Sequence, residues 1–181
     1  MKTTLFEPVI HYLPDEAVNQ ALDAEIRALL TRCFTQPQDV VFRERRYFVE
    51  PYPHRWVTRD AAGKIIAHIG VHEKVVCAGP HHYGIGGIAE VCVHPDFRGQ
   101  GLVRAMLSVI HTWLQGAGFA FSVLMGDPRV YQSSGYRSVD NLFCDAPEKG
   151  KRLRCDSAMV RSLQVSPWPD KSAVYLPGPS F

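Results

Sequence analysis

The sequence lacks the features that mark several large classes of protein. It contains no apolar run close to the roughly 18 residues of a membrane span, and its start, Met1 to Pro8, carries no signal-peptide apolar stretch. Lys and Arg number 20 against 18 Asp and Glu, whereas a nucleic-acid-binding domain usually carries a clear basic excess. We therefore expect a cytoplasmic protein with neither a membrane nor a nucleic-acid partner.

Cysteine is scarce, and its spacing does not indicate a metal site. The five cysteines are odd in number, widely scattered and without a CxxC pair: Cys33, Cys77, Cys92, Cys144 and Cys155. This pattern favours neither a disulfide framework nor a zinc site, and we interpret them as structural, mostly buried thiols. The eight histidines also lack helical metal-ligand spacing with a third ligand, so no metal is predicted.

The length and the apolar content indicate a single folded domain. The chain has 181 residues, of which 46% are hydrophobic, and one domain usually takes roughly 100–200 residues. The 14 Gly and 13 Pro follow no period, which excludes a collagen-like chain. We expect one domain over residues 1–181.

Hydrophobic periodicity predicts alternating helices and strands. Apolar residues at helical spacing predict a first helix between Pro14 and Phe34, whereas residues 35–53 show no clear pattern. Alternation then predicts an antiparallel hairpin and a further strand, at residues 56–58, 64–77 and 88–93. A second helix over residues 102–114 leads into a strand over residues 120–125, which is the pattern of a parallel β-α-β crossover.

The remaining third of the chain is predicted to complete the sheet. The pattern indicates a short helix over residues 127–134 and strands near residues 136–139, 142–145 and 159–163. From Pro167 the prolines favour an extended segment at the sheet edge. The whole pattern predicts an α/β protein with a mixed sheet.

The stretch from Val91 to Arg104 has the pattern of a phosphate-binding turn. A strand ends at Pro95, a glycine-bearing turn follows, and an amphipathic helix begins, so Gly99 and Gly101 leave backbone N–H groups accessible at the positive end of the helix. No Lys-Ser/Thr follows the glycines, and Arg104 stands where a dinucleotide fingerprint needs its third glycine. The pattern therefore predicts a pyrophosphate site of another type.

These residues resemble the GCN5-related N-acetyltransferases, the GNAT family. The acetyl-CoA motif of that family is Arg or Gln, two residues, Gly, one residue, then Gly or Ala; Arg98 and Gly101 match it, and Val103 departs at the last position. A second family element, Tyr-x-x-x-Gly-aromatic, is matched by Tyr131 to Tyr136. The resemblance is firm over residues 55–143, with an extended carboxyl tail over residues 165–181.

The resemblance implies the fold and the co-substrate. It implies the GNAT fold, with a central, mostly antiparallel sheet and one parallel β-α-β crossover at the CoA site, and acetyl-CoA as the acetyl donor. The implied acetyl-CoA-binding residues are Val91, Cys92, Val93, Arg98, Gly99, Gln100, Gly101, Leu102, Val103 and Arg104. The implied partner is a small-molecule amine, and a homodimer is left open.

Within the family, the chain looks most like the branch of aminoglycoside 2'-N-acetyltransferases and nodulation N-acyltransferases. The resemblance lies in residues 66–70, residues 99–103 and the extended tail, and it implies an amino-sugar acceptor. The chain departs from the aminoglycoside enzymes because its last residues, Leu176 to Phe181, carry no acidic side chain.

Acetyl transfer to an amine needs a base, an oxyanion donor and an acid. Glu90 is the candidate base, since regular alternation would place it on one strand face with Cys92 and His94; the alternative is a strand-end carboxylate paired with an arginine. The resemblance implies a backbone N–H of the Cys92-Val93 segment as the oxyanion donor and Tyr131 as the acid for the departing thiolate.

Other residues allow second interpretations. Cys92 is a candidate acyl-enzyme nucleophile or a packed thiol, and the run His81-His82-Tyr83 could line an acceptor pocket or form a plain loop. Trp168 could cover the acceptor site. A basic cluster could bind the 3'-phosphate of CoA or form a solvated loop; it consists of Lys149, Lys151, Arg152 and Arg154. The competing functions are a non-catalytic CoA-binding module and an interaction domain built on the basic segments at residues 43–46 and 149–154.

Overall fold

The computed structural model describes residues 8–146 and 150–181. Its helices are α1 (Gln20–Cys33), α2 (Leu102–Gly116) and the single turn α3 (Pro128–Tyr131), with 3-10 turns at Asp15–Ala17, Pro37–Arg43, Pro95–Phe97 and Gln132–Ser134. Its strands are β1 (Ile10–Pro14), β2 (His54–Arg59), β3 (Ile65–Ala78), β4 (His81–Val93), β5 (Phe121–Met125), β6 (Arg137–Ser138), β7 (Leu142–Asp145), β8 (Arg152–Arg154), β9 (Ala158–Ser162) and β10 (Val174–Leu176).

The ten strands form one mixed sheet around the long β3–β4 hairpin. Its order is β6-β9-β5-β4-β3-β10-β7-β8, and β1 and β2 extend it beside the first half of β3. The β4 and β5 strands are parallel and joined by α2, as predicted for the crossover. The mixed α/β fold predicted from the sequence is therefore confirmed.

Helix α1 begins and packs as its sequence dictates. The Asn19 side chain caps its first turn by accepting a hydrogen bond from Leu22 N at 3.0 Å. Its apolar stripe buries Ile26, Leu29 and Leu30 in a core shared with β2, β3 and β4. The helix was predicted to begin just after Pro14, but Asp15–Ala17 form a separate 3-10 turn and α1 begins only at Gln20.

Helix α2 covers the opposite face of the sheet. Its buried residues include Met106, Leu107, Ile110 and Leu114, all with side chains inaccessible to solvent. They pack against residues of β2, β3 and β4 in the largest apolar core. The sheet thus carries α1 on one face and α2 on the other. None of the helices in the described residues is long and apolar enough to cross a membrane.

The glycine-rich approach to β4 is part of the strand rather than a loop before it. Gly84 and Gly86 pair with Val75 and Glu73 of β3, so β4 begins at His81. At Gly86 a β-carbon would lie 2.5 Å from the Leu114 side chain, so glycine at this position lets α2 pack closely on the strand.

The prediction for the carboxyl tail was wrong. Residues 174–176 form β10, which lies inside the sheet between β3 and β7 and pairs with both. Val174 and Leu176 are fully buried. Trp168, which the sequence allowed as a cover for the acceptor, is 2% exposed, packs edge-on against Phe121 and donates from Nε1 to Asn141 Oδ1 at 2.9 Å. The tail is therefore a structural part of the core.

Candidate active site

The site begins where β4 and β5 separate. The two strands pair only from Ile85–Phe121 to Gly87–Val123, and beyond that point β4 has no neighbour on this side among the described residues. His94 N donates across the sheet to Ile66 O, so the carbonyl of Val93 points the other way, into the opening. There it accepts hydrogen bonds from Arg98 Nε at 3.2 Å and Cys33 Sγ at 3.4 Å.

The turn before α2 presents backbone N–H groups to this opening. Gly99 and Gly101 have φ of 74° and 76°, in the left-handed region that favours glycine, and a β-carbon at either would meet nothing within 4 Å. Gly101 caps α2 without a side-chain hydrogen bond, so the first N–H groups of the helix remain available. This arrangement fits a pyrophosphate, since the N–H groups and the helix dipole both favour an anion.

The end of β4, the glycine turn and the start of α2 enclose a cleft of about 580 Å³. Of the predicted acetyl-CoA-binding residues, all except Gln100 line it: Val91, Cys92, Val93, Arg98, Gly99, Gly101, Leu102, Val103 and Arg104. Cys33, Phe34, Phe97 and Tyr131 also contribute to its walls. The lining of the cleft suits a phosphorylated co-substrate.

A β-bulge interrupts the alternation that the sequence predicted for β4. The register with β3 shifts between His68 and Gly70, and Glu90 in the bulge has φ of 42°, which is rare for a residue other than glycine. His68 Nδ1 donates to the Glu90 carbonyl at 3.0 Å and stabilises the bulge. The His94 side chain, which alternation would place on the same face as Glu90, accepts a hydrogen bond from Asp96 N. The Glu90 side chain is thus positioned by the bulge and not by simple alternation.

The carboxyl group of Glu90 is buried and incompletely hydrogen-bonded. Oε1 accepts from Phe48 N at 2.9 Å, whereas Oε2 is buried without a hydrogen bond to any described residue. Burial raises the pKa of Glu90 to about 7, and the Phe48 N–H, the Tyr52 hydroxyl and the Arg55 cation offset this only in part. The predicted alternative, a carboxylate in an arginine ion pair, is not what the structure places here: Arg55 pairs with Asp15 at 2.6 Å.

Glu90 lies in a second, smaller cavity of about 150 Å³ that meets the cleft. Phe34, Val91 and Tyr131 line both spaces and separate the two compartments. The other walls of the small cavity come from Ile88, Ala89, Leu124, Met125 and Phe181. Two ligands could therefore approach the same point from opposite sides.

Tyr131 lies at this junction. Its ring fits over Gly126, where a β-carbon would clash with it, and it packs edge-on against Tyr136 with 6.1 Å between the ring centroids. Burial raises the pKa of Tyr131 to about 12, so its hydroxyl stays protonated near neutral pH. That hydroxyl makes no hydrogen bond within the part of the chain described, which leaves it available to a ligand.

The two thiols in the cleft differ in character. Hydrogen bonding to Cys33 and burial hold the pKa of Cys92 well above its ordinary value, which disfavours Cys92 as a nucleophile. The hydrogen bond from Cys92, helped by the Arg98 cation, lowers the pKa of half-buried Cys33 to about 7. Cys92 is best described as a packed thiol of the α1 core.

Several residues singled out in the sequence lie away from the site. His81, His82 and Tyr83 pair with residues 76–78 at the opposite end of β4, roughly 23–30 Å from Glu90 at the rise of a strand. Arg152 stacks on the Tyr175 ring and Arg154 pairs with Asp156, both around the edge strand β8. Lys149 lies outside the described residues.

Sequence reasoning missed the residues that come from distant segments. Phe34 follows α1, Phe48 lies in the stretch without a clear pattern, and Phe181 reaches the small cavity from beyond β10. No local motif marks any of the three. The apolar stripe of α1 ends at Cys33 and Phe34. It is the only sequence pattern that could have predicted that this end of the helix lies beside the cavities.

Comparison with known proteins agrees with this geometry. The family profile described as "Acetyltransferase (GNAT) domain" matches residues 17–139. A comparison with curated protein sequences found no match. Among solved structures, the GNAT family N-acetyltransferase YhbS of Escherichia coli in complex with CoA is 24% identical, with a TM-score of 0.62 over 87% of this chain and 82% of that one.

Two further solved structures share the fold over most of both chains. A GNAT family acetyltransferase of Brucella melitensis in complex with acetyl-CoA is 18% identical, with a TM-score of 0.58 over 91% of this chain and 95% of that one. An acetyltransferase of the GNAT family from Staphylococcus aureus Mu50 is 12% identical, with a TM-score of 0.57 over 86% of this chain and 100% of that one. The family match covers more than half of the chain; the protein belongs to the GNAT family and is an acetyl-CoA-dependent N-acetyltransferase.

Proposed function

We propose that the protein transfers the acetyl group of acetyl-CoA directly to a primary amine of a small molecule, with both substrates bound at once. The observation that carries this proposal is the meeting of two cavities at Phe34, Val91 and Tyr131, with Glu90 on the side away from the glycine turn. Such an arrangement lets an amine reach the acetyl carbon without an acyl-enzyme step.

Glu90 is the proposed base. An amine with an ordinary pKa near 10.4 is neutral in only about one molecule in 10³ at pH 7, so its proton must be removed before attack. A carboxyl group whose pKa is raised to about 7 by burial can accept a proton at neutral pH and bind it more firmly than a solvated carboxylate would. Oε2, which is buried and accepts no hydrogen bond from the described residues, is the oxygen proposed to take it.

Tyr131 is the proposed acid. Acetyl-CoA supplies the acetyl group, and the sulfur that leaves carries negative charge until it is protonated or hydrogen-bonded. The raised pKa of Tyr131 keeps its hydroxyl in the protonated form that can donate to this sulfur. The edge of β4 beyond Gly87 would place a backbone N–H of the Cys92-Val93 segment toward the thioester carbonyl.

Two conservative substitutions test these roles. Glu90→Gln and Tyr131→Phe should each lower the rate of thiol release by about 10²-fold or more, while calorimetry finds acetyl-CoA affinity within about twofold of the parent. Glu16→Gln and Tyr83→Phe, which change the same residue types away from the cleft, are the matched controls. Full turnover in the Glu90 and Tyr131 variants would refute the assigned roles.

The finer identity of the acceptor and the assembly remain predictions from sequence resemblance. That resemblance predicts an amino sugar, which an amine panel containing glucosamine would test. It also leaves a homodimer open, which sedimentation of the purified chain would test.

A further inference from the structure

Tyr52 lies in the core beside the bulge that carries Glu90. It is 1% exposed and belongs to the stretch before β2 that shows no clear pattern in the sequence. Its ring lies against Gly70 of β3, where a β-carbon would clash with it, and Gly70 pairs with Ala89, the residue before Glu90. Glycine at this position therefore lets the tyrosine ring approach the strand next to the bulge.

The Tyr52 hydroxyl group has one hydrogen and two nearby acceptors. It donates to Arg46 O at 2.9 Å and lies 3.3 Å from His68 Nε2. The Glu90 carbonyl can only accept, so His68 Nδ1 carries the hydrogen in their 3.0 Å contact. Burial lowers the pKa of His68 to about 3, so the ring is neutral and its Nε2 is an acceptor. The hydroxyl group is thus shared between the His68 ring and the Arg46 backbone.

Both partners of this hydroxyl group lead to Glu90. His68 holds the backbone carbonyl of Glu90. Arg46 begins the short segment that carries Phe48, whose N–H donates to Glu90 Oε1 at 2.9 Å. One buried hydroxyl group therefore connects the backbone of the bulge with the segment that orients the carboxyl group.

The Arg46 side chain is an alternative anchor for this segment. Its guanidinium group pairs with Asp15 at 2.8 Å and with Asp23 at 2.9 Å. All three side chains are partly exposed, and ion pairs of this kind usually contribute little. The Tyr52 hydroxyl group is buried and acts instead on the Arg46 carbonyl, in the backbone that leads to Phe48.

We propose that Tyr52 is a positioning residue for acetyl transfer: its hydroxyl group holds the Phe48 segment against the bulge and so fixes the Glu90 carboxyl group. The inference rests on the proposed role of Glu90 as the base. Tyr52 itself lines neither the cleft nor the small cavity, so it acts through Glu90 and not on a substrate.

The first test needs no substrate. Tyr52→Phe keeps the ring against Gly70 and removes only the hydroxyl group. NMR should then find hydrogen exchange of the Phe48 amide about tenfold faster or more, relative to the Ala120 amide, which donates to Gly84 O at 2.8 Å. Equal acceleration at both amides would indicate a general loss of stability, and an unchanged Phe48 amide would leave the ion pairs as the anchor. Either result would overturn the inference.

Tyr136→Phe is the matched control for this measurement. Tyr136 is also buried, and its hydroxyl group lies 2.8 Å from Nε2 of His111, a second buried histidine whose pKa is lowered to about 3. The substitution removes an equivalent contact in the core beneath α2 and should leave the exchange of Phe48 relative to Ala120 unchanged. Selective acceleration at Phe48 in this variant would show that the effect is not specific to Tyr52 and would refute the inference.

The second test measures acetyl transfer by thiol release. The acceptor is whichever of ethylamine, benzylamine, glucosamine and spermidine the parent turns over fastest. Tyr52→Phe should lower kcat about tenfold and keep KM for acetyl-CoA within about twofold. The midpoint of the pH profile of kcat/KM should move to higher pH, because the Tyr52 hydroxyl and the Phe48 N–H both lower the pKa of Glu90. Tyr136→Phe should leave this midpoint in place.

The pH profile separates positioning from structural damage. A merely structural role of Tyr52 would reduce the amount of active protein without moving the midpoint, and that result would overturn the inference while the transfer reaction stands. If the parent binds acetyl-CoA but turns over none of the four amines, the proposed reaction and the inference both fail.

Discussion

At the scale of single residues, Glu90 combines two unfavourable features at one position. It has a positive φ of 42° in a strand, and its carboxyl group is buried with Oε2 accepting no hydrogen bond from the described residues. Strain and unpaired burial of this kind cost stability and persist where the surrounding structure enforces them. His68, whose pKa is lowered to about 3 by burial, stays neutral and holds the bulge through the Glu90 carbonyl.

The titration of Glu90 should reduce stability while it raises activity. Its pKa moves from 4.5 in the unfolded chain to about 7 when folded, so folding favours the protonated form. Its contribution is therefore fully present below pH 4.5 and is lost as pH rises through about 7, a change of roughly 3 kcal/mol. Over the same interval kcat/KM should rise, because the base becomes deprotonated.

Urea unfolding at pH 5 and pH 8 measures this effect. Relative to the parent, Glu90→Gln should gain clearly more stability at pH 8 than at pH 5, whereas the exposed control Glu16→Gln should show no such difference. If the parent and Glu90→Gln respond to pH identically, the carboxyl group does not titrate in this interval.

Sequence reasoning predicted the site residues that belong to one local motif. It missed those that come together only when distant segments fold against each other. Arg98, Gly101 and Tyr131 follow short spacings that any reader can match, and all three line the cleft. Phe34, Phe48 and Phe181 reach Glu90 from three separate segments, and no spacing within one segment encodes that meeting. The bulge was also missed, since a single extra residue in a strand leaves little trace in hydrophobic alternation.

At the scale of elements, the turn before α2 should bind the co-substrate through its backbone. Gly101 has a positive φ and open space around its β-carbon position, so Gly101→Ala adds strain of about 1 kcal/mol without a clash in the free protein. A methyl group there would nevertheless stand in the cleft. We expect acetyl-CoA affinity to fall about tenfold or more in this variant.

Gly63 offers a closely matched control for this substitution. It also has a positive φ, 81°, and no atom within 4 Å of its β-carbon position, but it lies in the turn between β2 and β3. Gly63→Ala should lose similar stability in urea and keep full acetyl-CoA affinity by calorimetry. Equal affinities in the two variants would show that the turn before α2 does not contact the co-substrate.

The elements that the sequence predicted well are those whose partners are near in the chain. The β2–β3 hairpin and the β4-α2-β5 crossover are continuous segments with clear periodicity. By contrast, β1 and β10 gain their stability from strands far away in the sequence: β1 pairs with β2 and β10 with β3 and β7. A three-residue strand such as β10 has no periodicity of its own, so only its burial in the folded sheet defines it.

At the scale of the whole molecule, the last segment closes the sheet. Strand β10 fills the space beside the second half of β3, where β2 no longer pairs, and links β7 and β8 to the rest. A second apolar core lies under this region and includes Phe121, Leu142, Trp168, Val174 and Leu176. The sheet that carries the cleft thus depends on the tail for its completion.

Trp168 tests whether the tail is structural or a cover for the acceptor. Its ring is buried against Phe121 and its Nε1 donates to Asn141 Oδ1, so Trp168→Ala should lower the free energy of unfolding by about 3–5 kcal/mol. Val165→Ala, in the same segment but fully exposed, should change it by less than about 0.5 kcal/mol. Urea unfolding gives both values, and kcat/KM of the folded Trp168 variant completes the test. A stable variant with impaired acceptor turnover would instead assign Trp168 to the acceptor site, whereas an unstable variant whose folded fraction keeps its turnover fits the packing seen here.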